Sequence, residues 1–103
     1  MNHSNRGILA NCTPTEVFRF FEELCSIPHG SGNEAAIATY IADFAHQRGL
    51  FCHKDDANNV FIRLPASESC EDKPALMLQG HTDMVCEKDS DSTHDFLTDG
   101  LEP

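Results

Sequence analysis

Two helical stripes, each ended by a stop signal and followed by short β-prone runs, most constrain the fold of this chain. Apolar side chains at helical spacing predict one helix that ends before Pro28 and a second that ends at Gly49. Runs of β-branched and aromatic residues predict an antiparallel pair of strands at 50–54 and 60–64. The apolar run 75–80 predicts a third strand, buried on both faces. This order predicts an α/β fold, in which two N-terminal helices are followed by strands of a mixed sheet.

The start of each predicted helix carries a capping-box pattern. Thr13 stands three residues before Glu16, with Pro14 suited to the first helical position. Ser31 stands three residues before Glu34 in the same way. We therefore predict that both hydroxyl side chains cap helices, and that the apolar stripes following them lie in the core.

Composition narrows the classes of partner and the location. Among 103 residues, 7 Lys and Arg face 17 Asp and Glu, giving a net charge of −10. Nucleic acid and anionic membrane surfaces need clustered positive charge, so we expect neither as a partner. The 5 cysteines are odd in number and lack C-x-x-C spacing, which predicts free thiols in a reducing compartment. No apolar run approaches the roughly 20 residues of a membrane span, and no signal peptide is evident, so we predict a cytoplasmic location.

The residues with the clearest chemistry are His81 and Asp83, directly after the apolar run 75–80. Ligands of open α/β sheets gather at the carboxyl ends of strands, and side chains at i and i+2 of an extended chain point the same way. A neutral imidazole can bind a metal through one nitrogen and donate its other N–H to a carboxylate. Taken alone, the same His-x-Asp pattern also fits a surface or core histidine beside a helix cap.

Four blocks of sequence carry a family resemblance. They are Cys25-Ser-Ile-Pro-His-Gly-Ser-Gly-Asn-Glu34, Ala57-Asn-Asn-Val60, Gln79-Gly-His-Thr-Asp-Met-Val85 and His94-Asp-Phe96. In their order and spacing, the chain resembles the aminoacyl-histidine dipeptidases (peptidase D, Xaa-His dipeptidases) of the cocatalytic zinc peptidase superfamily. On this resemblance, residues 13–103 are the start of a zinc-peptidase catalytic domain, incomplete at its C-terminal side, and residues 1–12 are a flexible lead-in.

The resemblance implies a role for each of the two site residues. His81 is similar to the histidine that binds one of two Zn²⁺ ions, and Asp83 to the active-site aspartate that orients that histidine. Thr82 stands where the family pattern leads us to expect leucine. The other metal ligands and the catalytic glutamate are expected beyond Pro103, so the 103 residues alone are expected to be inactive. The implied substrate of the full-length enzyme is a dipeptide of the Xaa-His type, and a homodimer is an assembly that the resemblance allows.

Two alternatives to this prediction stay open. The chain could instead be a catalytically inert remnant or a small acidic binding domain derived from a peptidase. Within the same superfamily, a tripeptidase or an amide deacylase is the nearest enzymatic alternative. Of the other histidines, His29 and His94 are assigned to structural loops.

Overall fold

The computed structural model describes residues 7–103, which contain two helices and one β-hairpin. Helix α1 covers Thr15–Cys25 and helix α2 covers Ala35–Gln47. Strand β1 covers Phe51–Lys54 and pairs antiparallel with strand β2, Val60–Arg63. The two helices and the antiparallel hairpin that follows them confirm the predicted opening of an α/β domain.

These elements divide between two compact units. The first unit contains the described residues up to Ile37 together with Asp83–Pro103, and the second contains Ala38–Thr82. Helix α1 therefore belongs to the first unit and the hairpin to the second, while the boundary falls within α2.

The predicted cap of helix α1 is wrong. Pro14 occupies the N-cap position with an extended backbone, φ −69° and ψ 131°, and no side chain caps the helix. Because Pro14 is extended, the helix can begin only at Thr15, one residue too late for Thr13 to act as its cap.

The predicted cap of helix α2 is also wrong. The helix begins at Ala35, so Ser31 lies too far upstream to reach its first free amides. Between them the chain turns at Gly32, whose φ of 84° lies in the left-handed region that glycine adopts readily. The Glu34 carboxylate accepts the backbone N–H of Gly32 at 2.8 Å, which holds this turn.

The turn of the hairpin, residues 55–59, is built around the side chain of Asp55. Its Oδ1 accepts the backbone N–H of Ala57 at 3.0 Å and that of Asn59 at 2.9 Å, and its Oδ2 accepts the Asn59 side-chain amide at 3.0 Å. Asn58 adopts a φ of 67°, a conformation that asparagine tolerates better than most residues. The turn therefore sets the register in which Lys54 faces Val60.

The third predicted strand is absent from the described chain. Residues 75–80 form no strand, and Leu76 and Leu78 are 86% and 88% exposed. A strand needs a neighbour that supplies hydrogen bonds and covers its faces. Within residues 7–103, no backbone hydrogen bond links this run to another segment. The prediction of a buried strand is therefore wrong for this chain.

Burial is concentrated on small side chains and on helix α2. In the first unit the buried apolar residues are Cys25 and Ile37, and in the second they are Ala38, Ala42 and Ala45. The prediction that the apolar stripes are core holds for part of α2 but fails for α1, where Val17 and Phe21 are 60% and 50% exposed. Among the described residues, no helix is long and apolar enough to cross a bilayer.

Candidate active site

A short backbone bridge brings the segment that starts at Asp83 against the loop after helix α1. Gly30 and Met84 form an isolated parallel bridge. The Met84 N–H donates to the carbonyl oxygen of His29, and the Ser31 N–H donates to the carbonyl oxygen of Met84, both at 3.0 Å. Two residues more than fifty positions apart in the chain are thereby fixed side by side within the first unit.

The bridge places the hydroxyl of Ser31 on the carboxylate of Asp83. Ser31 Oγ donates to Asp83 Oδ2 at 2.6 Å, and it also lies 3.4 Å from the Met84 carbonyl oxygen. A distance of 2.6 Å is typical of an O–H donor on an ionised acceptor. Ser31 is exposed and Asp83 is half-buried, so the bond lies at the surface of the unit. It restricts the direction in which the carboxylate can point.

Close packing and a second hydrogen bond hold the loop that carries Ser31. Gly30 is buried, and a Cβ atom at this position would overlap the Sγ atom of Cys86. The Nδ1 of His29 donates to the carbonyl oxygen of Ile27 at 2.6 Å, because a carbonyl can only accept. This contact fits the loop role assigned to His29.

His81 lies in the second unit, which ends at Thr82, and Asp83 is the first residue of the C-terminal part of the first unit. The side chain of His81 is exposed. Among residues 7–103, no group of three or more His, Cys, Asp or Glu side chains could hold a metal ion. A structural zinc ion takes four ligands, and a catalytic one takes three protein ligands. The described residues therefore do not form a whole zinc site.

A cavity of about 750 Å³ lies in the C-terminal part of the first unit, with Met84 at its start. Four carboxylate side chains line it together with a single lysine, Lys88, and with His94: they are Glu87, Asp89, Asp99 and Glu102. Lys88 Nζ donates to the carbonyl oxygen of His94 at 2.6 Å, and the His94 ring packs edge-on against Phe96 with centroids 4.5 Å apart. The lining of this acidic cavity therefore includes Met84, the residue that follows Asp83 in the chain. The contacts of His94 are packing contacts of the kind that a structural loop requires.

Comparison with known proteins gives two clear similarities. No protein-family model matches the chain. The chain is 37% identical over 95 residues to the cytosol non-specific dipeptidase of Escherichia coli (strain K12), a match that covers 92% of this chain and 20% of that protein. It is also similar to the crystal structure of the aminoacylhistidine dipeptidase from Vibrio alginolyticus. That match has a TM-score of 0.85 and 38% identity, and covers 93% of this chain and 20% of that one.

Both similarities extend over more than nine tenths of the chain. The chain spans about one fifth of the length of each relative. Sequence identity and fold agree with the resemblance carried by the four sequence blocks. The chain is thus similar, over nearly its whole length, to a segment that makes up about a fifth of two proteins named as dipeptidases.

Proposed function

We propose that the complete protein hydrolyses dipeptides of the Xaa-His type in a zinc-dependent reaction, and that this chain supplies one zinc ligand, His81, and its orienting aspartate, Asp83. The observation that carries the proposal is 37–38% identity, over more than 90% of the chain, to two proteins named as dipeptidases. A cytoplasmic location belongs to the same proposal and is supported by the name of the cytosol relative. A homodimer of the complete enzyme is also part of the proposal.

The chemistry proposed for these residues follows from their side chains. A bound zinc ion would supply Lewis-acid polarisation of the peptide carbonyl and would lower the pKa of a water molecule. His81 would bind the ion through one imidazole nitrogen, and its exposed side chain is compatible with that task. Asp83 would accept the N–H of the other nitrogen, which fixes the tautomer and makes the ligand nitrogen more basic. The hydrogen bond from Ser31 restricts the direction in which the Asp83 carboxylate, the proposed acceptor of the imidazole N–H, can point.

The 103-residue chain by itself is proposed to be catalytically inert. Its described residues hold no cluster of three metal-binding side chains, so a metal at His81 would lack the other ligands of a closed site. A dissociation constant no tighter than about micromolar, about −8 kcal/mol, is therefore expected for zinc. Incubation of the chain with zinc and an Xaa-His dipeptide should give no turnover. Metal-dependent turnover that disappears in His81→Ala would contradict the inertness.

A zinc titration followed by NMR tests the ligand itself. The ring protons of His81 should shift on addition of Zn²⁺, and His81→Ala should lose the binding. The matched control is His46→Ala, which removes an exposed histidine in the last turn of helix α2. Equal affinity in the parent and in His81→Ala would refute the assignment of His81, and a nanomolar site would show that further ligands exist.

A chimaera tests the activity of a complete enzyme. In it, this chain replaces the matched fifth of the Escherichia coli cytosol non-specific dipeptidase. A folded chimaera should hydrolyse an Xaa-His dipeptide, and His81→Ala should remove the activity while His46→Ala retains it. A folded chimaera that is equally active with His81→Ala would overturn the proposed role of this residue.

A further inference from the structure

We propose that residues 75–80 are a docking edge, which pairs with an extended segment of the complete protein that lies outside this chain. The proposal rests on the function proposed above only in taking the chain as part of a complete dipeptidase. Leu76, Met77 and Leu78 are consecutive, and each is at least three quarters exposed. Elsewhere in residues 7–103 the exposed large apolar residues stand singly in the sequence, which is ordinary for a protein surface.

The backbone of the docking edge is as uncovered as its side chains. None of its residues is proline, so each carries an N–H donor and a carbonyl acceptor. In the described part of the chain, none of these groups bonds to another backbone group. Unpaired groups in a row are a template for pairing with a further segment. Since alternate side chains of an extended run point to opposite faces, Leu76 and Leu78 would then lie on one face and Met77 on the other.

The charges beside the docking edge disfavour a second copy of this chain as its partner. Antiparallel pairing that aligns the three apolar residues of two copies places Met77 opposite Met77, and it brings Glu71 of one copy to Asp83 of the other. Parallel pairing in register brings each acidic residue, Asp72 included, to its own equivalent. Like charges that face each other destabilise a pair of strands, and each copy carries a net charge of −10.

The lengths of the relatives favour a partner segment from the complete protein. About four fifths of each dipeptidase relative lies outside the part that is similar to this chain. An equivalent length of further chain is ample to supply a strand on either side of the docking edge, and an apolar run without alternation is typical of a strand inside a sheet. Because His81 directly follows Gly80, such pairing would also fix the backbone next to His81 relative to the rest of the enzyme.

Hydrogen exchange followed by mass spectrometry tests the proposal in two contexts. In the 103-residue chain, the amides of the docking edge should exchange as fast as those of an unstructured peptide. In the chimaera with the Escherichia coli dipeptidase they should exchange at least about 100-fold more slowly, because paired amides exchange only when the structure opens. Leu78→Asp should remove this protection from the chimaera, yet leave exchange in helix α2 of the 103-residue chain unchanged, since Leu78 is exposed there. Leu78→Ile, which suits a strand, should retain the protection.

The outcomes separate this proposal from the function on which it rests. Protection of the docking edge in the 103-residue chain would overturn it, because the chain or a second copy would then cover the edge. Fast exchange in a folded chimaera would also overturn it, even if that chimaera hydrolyses dipeptides. A chimaera with a protected edge and no hydrolysis contradicts the proposed function alone. If the chimaera does not fold, residues 75–80 alone are grafted into the matched positions of the Escherichia coli protein, and a graft that misfolds or exchanges fast refutes the docking edge.

Discussion

The end of the first unit docks on the C-terminus of helix α1 through Gly100 and Leu101. The Leu101 N–H donates to the Cys25 carbonyl oxygen at 2.7 Å. A Cβ atom on Gly100 would lie 2.8 Å from the Ser26 carbonyl oxygen and 3.0 Å from the Cys25 carbonyl oxygen. Both are backbone atoms and cannot rotate away, so Gly100→Ala must push the C-terminal segment off the helix.

The size of the effect follows from these contacts. Overpacking at a site that cannot relax costs about 1–3 kcal/mol, and loss of the Leu101 hydrogen bond costs about 1 kcal/mol more. The sum is a local destabilisation of about 2–4 kcal/mol. Since each 1.4 kcal/mol is about a factor of ten, hydrogen exchange at the Leu101 amide should become about 30-fold faster or more.

Amide hydrogen exchange followed by NMR measures this change residue by residue. The matched control is Gly80→Ala, because a Cβ on Gly80 meets no atom within 4 Å and its φ is not in the left-handed region. Gly80→Ala should leave the Leu101 amide at its parental rate. If Gly100→Ala also leaves that rate unchanged, the contact between Gly100 and the end of helix α1 does not exist as described.

Two further predictions concern the titration of single groups. The hydrogen bond from the Asn59 side-chain amide, and secondarily those from backbone N–H groups, lower the pKa of Asp55. The stability that the ionised Asp55 carboxylate gives to the turn is therefore complete above about pH 4, and it is lost as the pH falls through the lowered pKa. A ¹³C titration should place the Asp55 midpoint below its ordinary value, and Asn59→Ala should raise it; an unmoved midpoint would count against the turn. Burial, and secondarily the charge of Glu22, raise the pKa of the Cys25 thiol. In the folded chain, iodoacetamide at pH 8 should therefore label Cys25 more slowly than it labels the exposed Cys70. In urea the two thiols should be labelled at the same rate. Equal rates in the folded chain would show that Cys25 is accessible.

The features that sequence analysis predicted well depend on neighbours in the chain. The hairpin is of this kind, because the preferences of its β-branched and aromatic residues and the turn chemistry of Asp55 act within about ten residues. Helix α2 is similar, since its stripe and the glycine that ends it, Gly49 at φ 68°, are local signals. The resemblance carried by the four sequence blocks was also predicted well, because the order of the blocks along the chain is read directly from the sequence.

The features that were missed depend on residues distant in sequence. A strand at 75–80 is predicted from its apolar composition, yet a strand forms only when another segment pairs with it. Within the described chain that run has no backbone partner, and Met77 beside its two exposed leucines is 75% exposed. Val17 in helix α1 is exposed for the same reason, namely that burial depends on residues distant in sequence. An amphipathic stripe shows which face of a helix can be buried, but it does not show which segment covers that face.

Ser31 shows how a local signal can conceal a distant one. Its spacing from Glu34 satisfies the capping-box pattern, and a helix cap contributes about 1 kcal/mol. A hydrogen bond to a charged group contributes about 1.5–3 kcal/mol, less where the donor is exposed as it is here. The carboxylate thus competes with the helix amides for the hydroxyl, and the turn at Gly32 moves the hydroxyl away from the helix. Because Ser31 lies in one family block and Asp83 in another, their hydrogen bond gives a physical reason for both blocks to occur in one chain.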